Sequence, residues 1–245
     1  MSAENSETAE ASEAGSTATR VAAVTGGAGA IGSAIVSALR AAGHSVAVLD
    51  RAGDPPVDLA QHAAVTQAAA DVLEREGRCD VLVHAAAAFD RAALPDLTPD
   101  GWRKMQAVNV ESALWLAQAL VPGMAQRRFG RIVFIVSDTV WEPPAADLLA
   151  YVASKATLVG IARTLARSLG RDGITVNCVA PGLTPTPGAI ADTPPEVFDH
   201  VRARQAIDRA LAPEDVAAAV AFLAGDAASA ITGQTVCTNG GLVLR

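Results

Sequence analysis

Short apolar runs alternate along this chain with longer segments rich in alanine. Each run suits a buried strand, and each longer segment suits a helix packed against it. The predicted strands cover residues 21–25, 45–50, 80–85, 131–137, 174–179 and 234–238, and the predicted helices cover residues 31–42, 60–76, 99–126, 151–169 and 213–224. This alternation predicts one α/β domain, with a parallel sheet that carries helices on both faces.

The chain between the second predicted strand and Asp58 is unusually short. Residues 51–57 alone separate Asp50 from Asp58, whereas a parallel crossover that carries a helix needs roughly a dozen residues or more. We therefore expect the helix between the second and third strands to be reduced or absent. In its place we expect a loop stiffened by Pro55 and Pro56, with a rudimentary edge strand.

Composition and charge support a single domain without nucleic acid as a partner. A chain of 245 residues can bury a sizeable core without disulfides or metals. Hydrophobic residues make up 51% of it and aromatic residues only 4%, which favours closely packed helices on a parallel sheet. The formal net charge is −7, of which Glu4, Glu7, Glu10 and Glu13 contribute four. The remaining surface is mildly acidic and offers no basic stripe for nucleic acid.

Residues 1–19 are rich in serine, glutamate, alanine and threonine, which predicts a disordered tail before a domain that spans residues 20–245. The tail lacks the basic start and apolar core of a secretory signal, and no run of about 18 apolar residues predicts a membrane span. Cys79, Cys178 and Cys237 are far apart and show no metal-ligand spacing. We expect buried thiols in a cytoplasmic protein, and no metal site.

A glycine-rich turn follows the first predicted strand and opens the first predicted helix. It reads TGGAGAIG from Thr25 to Gly32. Glycines let the backbone approach a pyrophosphate, whose charge the amino end of a helix stabilises, so this context predicts dinucleotide binding. Asp50 closes the second strand, where a carboxylate can accept bonds from both adenosine ribose hydroxyls and repel a 2′-phosphate. NAD is therefore expected in preference to NADP, although the neighbouring Arg51 acts in the opposite direction.

Tyr151 and Lys155 lie four residues apart at the head of a predicted helix. Positions i and i+4 share a helix face, so the Lys155 ammonium can lie beneath the Tyr151 phenol and favour its ionised form. Such a pair can transfer a proton, but a tyrosine and a lysine at this spacing can equally be mere neighbours on a helix surface. The glycine-rich turn, and Ser137 at the end of an apolar run upstream, favour the catalytic interpretation.

The turn, the serine and the tyrosine–lysine pair together resemble the short-chain dehydrogenase/reductase family over residues 20–245. The family's TGxxxGxG turn corresponds to Thr25, Gly26, Ala30 and Gly32, so an alanine stands in place of the middle glycine. The segment HAAA, which begins at His84, stands where the family usually has Asn-Asn-Ala-Gly. The resemblance implies a single-domain, Rossmann-type doubly wound sheet, and a homotetramer or homodimer packed through two long helices.

By the same resemblance, four residues form the catalytic tetrad: Asn109, Ser137, Tyr151 and Lys155. Tyr151 as phenolate would take the hydroxyl proton of an alcohol while hydride passes to nicotinamide. Lys155 and the oxidised nicotinamide would lower the pKa of Tyr151. Ser137, with Asp138 as a competitor, would donate a hydrogen bond to the substrate oxygen, and Asn109 would hold a water that links the lysine to solvent.

The resemblance also implies a cofactor site. Asp58 would lie beside adenine, and the segment from Pro181 onwards would lie against the nicotinamide amide. The implied cofactor-binding residues are Gly26, Ala30, Ile31, Gly32, Asp50, Asp58, Ala85, Ala86, Asn109, Tyr151, Lys155, Pro181, Gly182, Thr184 and Thr186.

The substrate pocket is expected to combine Ser137 and Tyr151 with apolar walls. The candidate wall residues are Phe89, Trp141, Leu149 and Phe198, each of which could equally belong to the core or to an interface. Residues 184–205 are rich in proline, alanine and charge with little core pattern, which predicts a mobile lid over the substrate.

These features predict an NAD(P)-dependent oxidoreductase that interconverts a small-molecule secondary alcohol and a ketone, aryl and cyclic ketones being the first candidates. A dihydrodiol dehydrogenase is an alternative, although no carboxylate anchor is obvious. A 3-oxoacyl-(acyl-carrier-protein) reductase is another, disfavoured by the expected NAD preference and by the lack of a basic docking patch. A non-catalytic nucleotide sensor or scaffold is disfavoured because the full tetrad is retained.

Overall fold

The valine- and isoleucine-rich runs form a parallel sheet in the computed structural model, which describes residues 19–244. Within these residues the strands are β1 (Val21–Thr25), β2 (Ser45–Leu49), β3 (Val81–His84), β4 (Gly130–Ile135), β5 (Ile174–Pro181) and β6 (Thr235–Thr238). They pair in the order β2-β1-β3-β4-β5-β6, every pair parallel. The disordered tail predicted for residues 1–19 lies outside the described residues except for Thr19.

Helices cover both faces of the sheet, as predicted. They are α1 (Ala30–Ala41), α2 (His62–Glu76), α3 (Pro99–Gln106), α4 (Ser112–Gln126), α5 (Leu149–Leu169), α6 (Pro187–Asp192), α7 (Pro195–Arg204) and α8 (Pro213–Ala224). Buried residues of α2, α4 and α5 belong to one core cluster, and those of α1 and α8 belong to the other. The helix predicted over residues 99–126 is interrupted by a π-helical turn, Ala107–Glu111, between α3 and α4.

The strand order places a crevice at one edge of the sheet. After β2, which pairs with one side of β1, the chain crosses to the other side of β1 and forms β3. Because all strands are parallel, their carboxyl ends lie at the same edge, and ligands of such sheets bind where the order reverses. The residues that follow β1, β3, β4 and β5 therefore meet around one crevice.

Residues 50–61, which follow β2, contain no helix, and the predicted rudimentary edge strand is not formed. A full helix, α2, nevertheless lies between β2 and β3, so the prediction that the helix between the second and third strands is reduced or absent is wrong. The backbone turns on itself at Asp50, whose carbonyl accepts bonds from the Gly53 and Val57 amides at 3.0 and 2.9 Å. Val57 and Leu59 are buried in the core cluster that includes α2. The prediction of a further strand is wrong because these side chains anchor a loop inward, which leaves β2 at the edge.

The predicted lid, residues 184–205, contains the two short helices α6 and α7, neither of which has a buried residue. The absence of a core pattern in this segment therefore reflects its position on the surface. The mobility of the lid remains a prediction.

One segment, Ala146–Asp172, is long and apolar enough to cross a membrane by length and composition alone, with a mean hydropathy of 1.3. It contains α5, whose residues Leu158, Ala162 and Ala166 belong to the core cluster on the sheet. The same helix buries the side chain of Lys155. Packing against the sheet accounts for the apolar character of this helix.

A buried carboxylate ties the amino ends of the strands together, on the side opposite the crevice. Asp80 is fully buried, and its oxygens accept bonds from the Val21 amide at 3.0 Å, from Arg78 at 2.7 and 2.9 Å and from Arg127 at 3.0 Å. Burial alone would raise the pKa of Asp80. The bonds from Arg78 and from the Val21 amide, and the charges of both arginines, lower its pKa overall.

We predict that Asp80→Asn lowers the free energy of unfolding by about 2–4 kcal/mol at pH 7, because both arginines lose their buried counter-charge. Because the pKa of Asp80 is lowered by folding, its contribution is present above the unfolded value of about 3.9 and is lost as the pH falls below it. The difference between variant and wild type should therefore shrink on acidification. Urea unfolding at several pH values measures it.

The matched control is Asp100→Asn, since Asp100 lies in an exposed pair with Arg103. Its unfolding midpoint should stay at the wild-type value. An Asp80→Asn protein as stable as wild type at pH 7 would contradict the assigned role of Asp80.

Candidate active site

The glycine-rich turn after β1 is too tightly packed for side chains. Gly26 has a φ of +67°, and a Cβ there would lie 2.7 Å from the Ala86 Cα. A Cβ on Gly32 would lie 2.0 Å from the Gly26 carbonyl oxygen. The turn leads directly into α1, which begins at Ala30. The residues present therefore fit a pyrophosphate, which needs close backbone approach and the amino end of a helix.

The glycine-rich segment also carries the side chains of Ala30 and Ile31. Ala30, which replaces the family's middle glycine, is half-buried, and Ile31 beside it packs against the core cluster of α1 and α8. Ala30 is not among the nearest atoms that a Cβ on Gly26 or Gly32 would meet.

Asp50 links the turn to the loop after β2. Its carboxylate accepts bonds from the Ala28 amide at 3.1 Å and from the Ala52 amide at 3.0 Å. Each oxygen keeps a second lone pair, which suits the hydroxyls of a ribose. Asp58 is exposed, and its carboxylate accepts a bond from the Ala60 amide at 3.1 Å.

Tyr151 lies on the first turn of α5, with its ring against Phe89 at a centroid distance of 5.0 Å, edge to face. Burial raises the pKa of Tyr151 to about 12; a hydrogen bond with Ser137 acts in the lowering direction, and the charge of Asp138 adds to the rise. The sequence predicts a lowered pKa for this phenol. The protein by itself does the opposite, because burial penalises the phenolate more than its neighbours stabilise it.

Lys155 lies one turn further along α5 and is almost completely buried. Its Nζ donates to the Ile135 carbonyl at 2.8 Å and lies 5.7 Å from the centroid of the Tyr151 ring. Burial lowers the pKa of Lys155 to about 8, although the thiol of Cys178 acts in the raising direction. The ammonium is thus the main form at neutral pH, beside the tyrosine as predicted.

Ser137 follows β4 and opens a short turn, Asp138–Val140. Its Oγ accepts bonds from the Thr139 hydroxyl at 2.9 Å and from the Thr139 amide at 3.3 Å. A hydroxyl has two lone pairs and one proton, so the Ser137 proton is left to point at the Tyr151 oxygen. Thr139 was not predicted from the sequence, where a second hydroxyl residue two positions after the serine is the only signal of this contact.

The side chain of Asn109 is committed to structure. Its Oδ1 accepts a bond from the Ala88 amide at 2.6 Å, and its Nδ2 donates to the Ala88 carbonyl at 3.0 Å and to Ser154 Oγ at 2.9 Å. Ser154 Oγ in turn donates to the Tyr151 carbonyl at 2.7 Å. The side-chain amide therefore fastens the loop after β3 to α5. The role of Asn109 in holding a water that links the lysine to solvent stays a prediction.

Asp138 is a buried carboxyl beside the tetrad. Its exposed fraction is 5%, and its Oδ2 has no hydrogen-bond partner. Burial raises the pKa of Asp138 to about 6; a bond with the Asn239 side chain acts against this, and the charge of Glu142 adds to it. The carboxyl thus contacts the C-terminal turn that contains Asn239, whereas Ser137 contacts the phenol.

The segment after β5 packs under the C-terminal turn. The Gly182 amide donates to the Thr238 carbonyl at 3.2 Å, and a Cβ on Gly182 would lie 2.9 Å from Asn239. Thr184 is buried and donates to the Gly182 carbonyl at 3.1 Å, whereas the Thr186 side chain accepts from the Ala189 amide and caps α6. Pro181, the last residue of β5, is buried with them.

The four candidate pocket-wall residues lie in different surroundings. Phe89 touches Tyr151 and is 47% exposed, so it offers apolar surface beside the phenol. Leu149, at the start of α5, is 40% exposed. Trp141 instead packs against the main core cluster. Phe198 lies on α7 and lines a small cavity of ≈ 60 Å³ with Leu183.

Two ion pairs, also missed by the sequence analysis, hold the segment between Ser137 and Tyr151. Arg91 binds Asp147 through two bonds of 2.8 and 3.0 Å, which fixes the loop after β3. Arg204, at the end of α7, pairs with Glu142.

Between residues 19 and 244 no group of three or more His, Cys, Asp or Glu side chains could hold a metal ion.

Residues 26–243 match a protein-family model described as enoyl-(acyl carrier protein) reductase. The D-xylose 1-dehydrogenase of Caulobacter vibrioides is 34% identical over 236 residues, which cover 89% of this chain and 93% of that protein. An acetoacetyl-CoA reductase of an Acinetobacter species is 32% identical, covering 92% and 98%. The 3-oxoacyl-(acyl-carrier-protein) reductase MabA of Mycobacterium bovis is 35% identical, covering 89% and 91%.

Solved structures agree with these relatives. A short-chain dehydrogenase/reductase of Serratia marcescens superimposes with a TM-score of 0.83 at 33% identity, covering 91% of this chain and 97% of that one. A protein of Thermus thermophilus superimposes with a TM-score of 0.84 at 36% identity, covering 91% and 98%. Because the family model and these relatives span most of its length, the chain belongs to the short-chain dehydrogenase/reductase family and is an NAD(P)-dependent oxidoreductase.

Proposed function

We propose that the protein interconverts a secondary alcohol and a ketone with NAD as the preferred cofactor, and that the substrate carries an aryl or cyclic group beside the reacting carbon. The observation that carries the proposal is the Ser137 hydroxyl close enough to act on the pKa of the Tyr151 phenol, next to a buried ammonium, at the edge of the sheet where the glycine-rich turn lies. The Phe89 ring, exposed beside the phenol, supports an aryl or cyclic substituent.

Each residue of the site has a distinct task. Tyr151 gives its phenolic proton to the oxygen of a ketone or takes the hydroxyl proton of an alcohol. Ser137 donates a hydrogen bond at the same place and so stabilises charge on the substrate oxygen. Lys155, charged and buried, stabilises a phenolate. Asp50 accepts hydrogen bonds from the adenosine ribose hydroxyls of NAD and repels the 2′-phosphate of NADP. Bound NAD supplies the hydride chemistry.

The raised pKa of Tyr151 bears on whether the site favours ketone reduction or alcohol oxidation. At neutral pH the phenol carries its proton and is ready to donate it, which favours ketone reduction. Alcohol oxidation needs the phenolate, so its rate should rise with pH.

A 3-oxoacyl thioester is the second candidate substrate, and the relatives named acetoacetyl-CoA reductase and 3-oxoacyl-(acyl-carrier-protein) reductase support it. The protonated phenol suits this reduction as well. Activity on aryl ketones, cyclic ketones and acetoacetyl-CoA, each with NADH and NADPH, separates the two proposals. Higher activity on acetoacetyl-CoA than on the aryl and cyclic ketones would favour the 3-oxoacyl thioester as substrate and contradict the first proposal.

We predict that Tyr151→Phe lowers kcat by about 10²–10⁴-fold, because the proton donor is removed while the ring keeps its contact with Phe89. Steady-state kinetics with a ketone from the panel measures the loss. Affinity for NADH, measured by fluorescence titration, should fall far less than kcat, since the other implied cofactor-binding residues are unchanged. Turnover at the wild-type rate would remove Tyr151 from its assigned role.

We predict that Asp138→Asn lowers the pKa of Tyr151 by roughly one unit, because the carboxylate charge that opposes the phenolate is removed. The chain contains a single tyrosine, so the tyrosinate absorbance reports this group directly. The exposed Asp96 provides the control, and Asp96→Asn should leave the titration unchanged. A Tyr151 pKa that is the same in the Asp138→Asn protein as in wild type would show that the two groups are not coupled.

We predict that Asp50→Ala lowers kcat/KM for NAD by roughly 10- to 100-fold and for NADP by less, because the ribose loses a charged acceptor while a 2′-phosphate loses a repelling charge. Asp58→Ala is the comparison, since Asp58 is a nearby exposed carboxylate. If the ratio of the two kcat/KM values does not change in the Asp50→Ala protein, Asp50 does not set the preference.

A further inference from the structure

His84 is a fully buried polar residue to which the proposed mechanism gives no task. It closes β3, pairs in register with Thr25 of β1 and with Phe134 of β4, and has an exposed fraction of 0%. It stands where the family usually has asparagine. Buried polar groups are expensive unless they are hydrogen-bonded, so the bonds of this ring indicate what it does.

The Thr25 hydroxyl determines which ring nitrogen carries the proton. Thr25 Oγ1 accepts bonds from the amides of Ala85 and Ala86, both at 3.1 Å. These bonds use its two lone pairs, so its single proton must go to His84 Nδ1, which lies 2.9 Å away. Nδ1 is therefore the acceptor, and the neutral ring carries its proton on Nε2.

The protonated nitrogen is directed at the π-helical turn. The backbone groups of Asn109 and Val108 lie close enough to raise the pKa of His84, although neither reaches hydrogen-bonding geometry with Nε2. The Val108 carbonyl already accepts a bond from the Ser112 hydroxyl at 2.8 Å. The carbonyl of Asn109 is thus the better partner for the Nε2 proton.

Burial, aided by the charge of Lys155, keeps the ring neutral. Burial is the largest cause that lowers the pKa of His84 to about 3, and the charge of Lys155 acts in the same direction. An imidazolium here would be a second buried cation beside the ammonium. The ring is therefore a fixed dipole at working pH, with Nδ1 bonded to Thr25 of β1 and Nε2 directed at the turn that holds Asn109.

We propose that His84 is a positioning residue of the proton-transfer site, a neutral ring beside Lys155 that carries its proton on Nε2 and directs it at the Asn109 carbonyl. The side chain of Asn109 is committed to Ala88 and Ser154, so its backbone is the part of this residue left to meet the ring. The wide turn, in which the Ser112 amide bonds the Ala107 carbonyl five residues back, needs such an anchor because it breaks the regular helix ladder.

The first test observes the ring in the wild-type protein. Long-range ¹H–¹⁵N spectra of protein labelled at its four histidines report the tautomer of each ring, and His84→Asn identifies the signals of His84 by their loss. We expect an unprotonated Nδ1 and a protonated Nε2 at every pH from about 5 to about 9. A proton on Nδ1, or a ring that titrates in this range, would overturn the proposal.

The second test measures the consequence for the tyrosine and for catalysis. His84→Leu removes both hydrogen-bonding atoms, so the ammonium loses a fixed neighbour and the phenolate becomes less favourable. We expect the Tyr151 pKa, read from tyrosinate absorbance, to rise by about half a unit to one unit. We expect kcat to fall roughly tenfold with little change in KM for the cofactor. A folded His84→Leu protein with the wild-type pKa and kcat would refute the role.

The conservative variant separates positioning from packing. His84→Asn keeps one acceptor and one donor, so it should restore the wild-type tyrosine titration. If His84→Leu does not fold, Thr25→Val takes its place, because it removes the hydroxyl that orients the ring and should shift the pKa in the same direction. No shift in a folded Thr25→Val protein would count against the proposal.

The inference rests on the proposed function, but the two can fail separately. The proposed function fails if the wild-type protein turns over no ketone with either cofactor. The tautomer and the tyrosinate titration need no turnover, so they test His84 in that case as well.

Discussion

The buried ammonium of Lys155 is the constraint on which the rest of the site depends. A charge removed from water must be stabilised by fixed dipoles, and here the Ile135 carbonyl at the end of β4 accepts its bond at 2.8 Å. That bond ties α5 to the carboxyl edge of the sheet. It thereby places Tyr151, one turn earlier on α5, beside Ser137, which follows β4.

Hydroxyl groups whose lone pairs are already occupied orient the protons of this site. Thr139 occupies both lone pairs of Ser137, so the Ser137 proton points at the phenol. The amides of Ala85 and Ala86 occupy those of Thr25, so its proton points at His84. A site built in this way has its donors aligned before substrate arrives, which is the physical basis of electrostatic preorganisation.

Burial sets the acid–base properties of the site more strongly than any single neighbour. It raises the pKa of Tyr151, Asp138 and Cys178 and lowers that of Lys155 and His84. The tyrosine therefore rests as a proton donor, and the positive charges of the site must lower its pKa before it can act as a base. The ionised Asp138 opposes that change, which makes this carboxyl a second control on the same group.

The sequence by itself determined the parallel sheet, the helices on its two faces and the proximity of Tyr151 and Lys155. These follow from local periodicity and from the i, i+4 geometry of a helix, which need no long-range information. The tertiary structure decided the rest: the inward turn of Val57 that replaces an edge strand, the use of the Asn109 amide on Ala88, and the raised tyrosine pKa. Each depends on groups far apart in the chain, because burial and hydrogen-bond partners are properties of the packed fold.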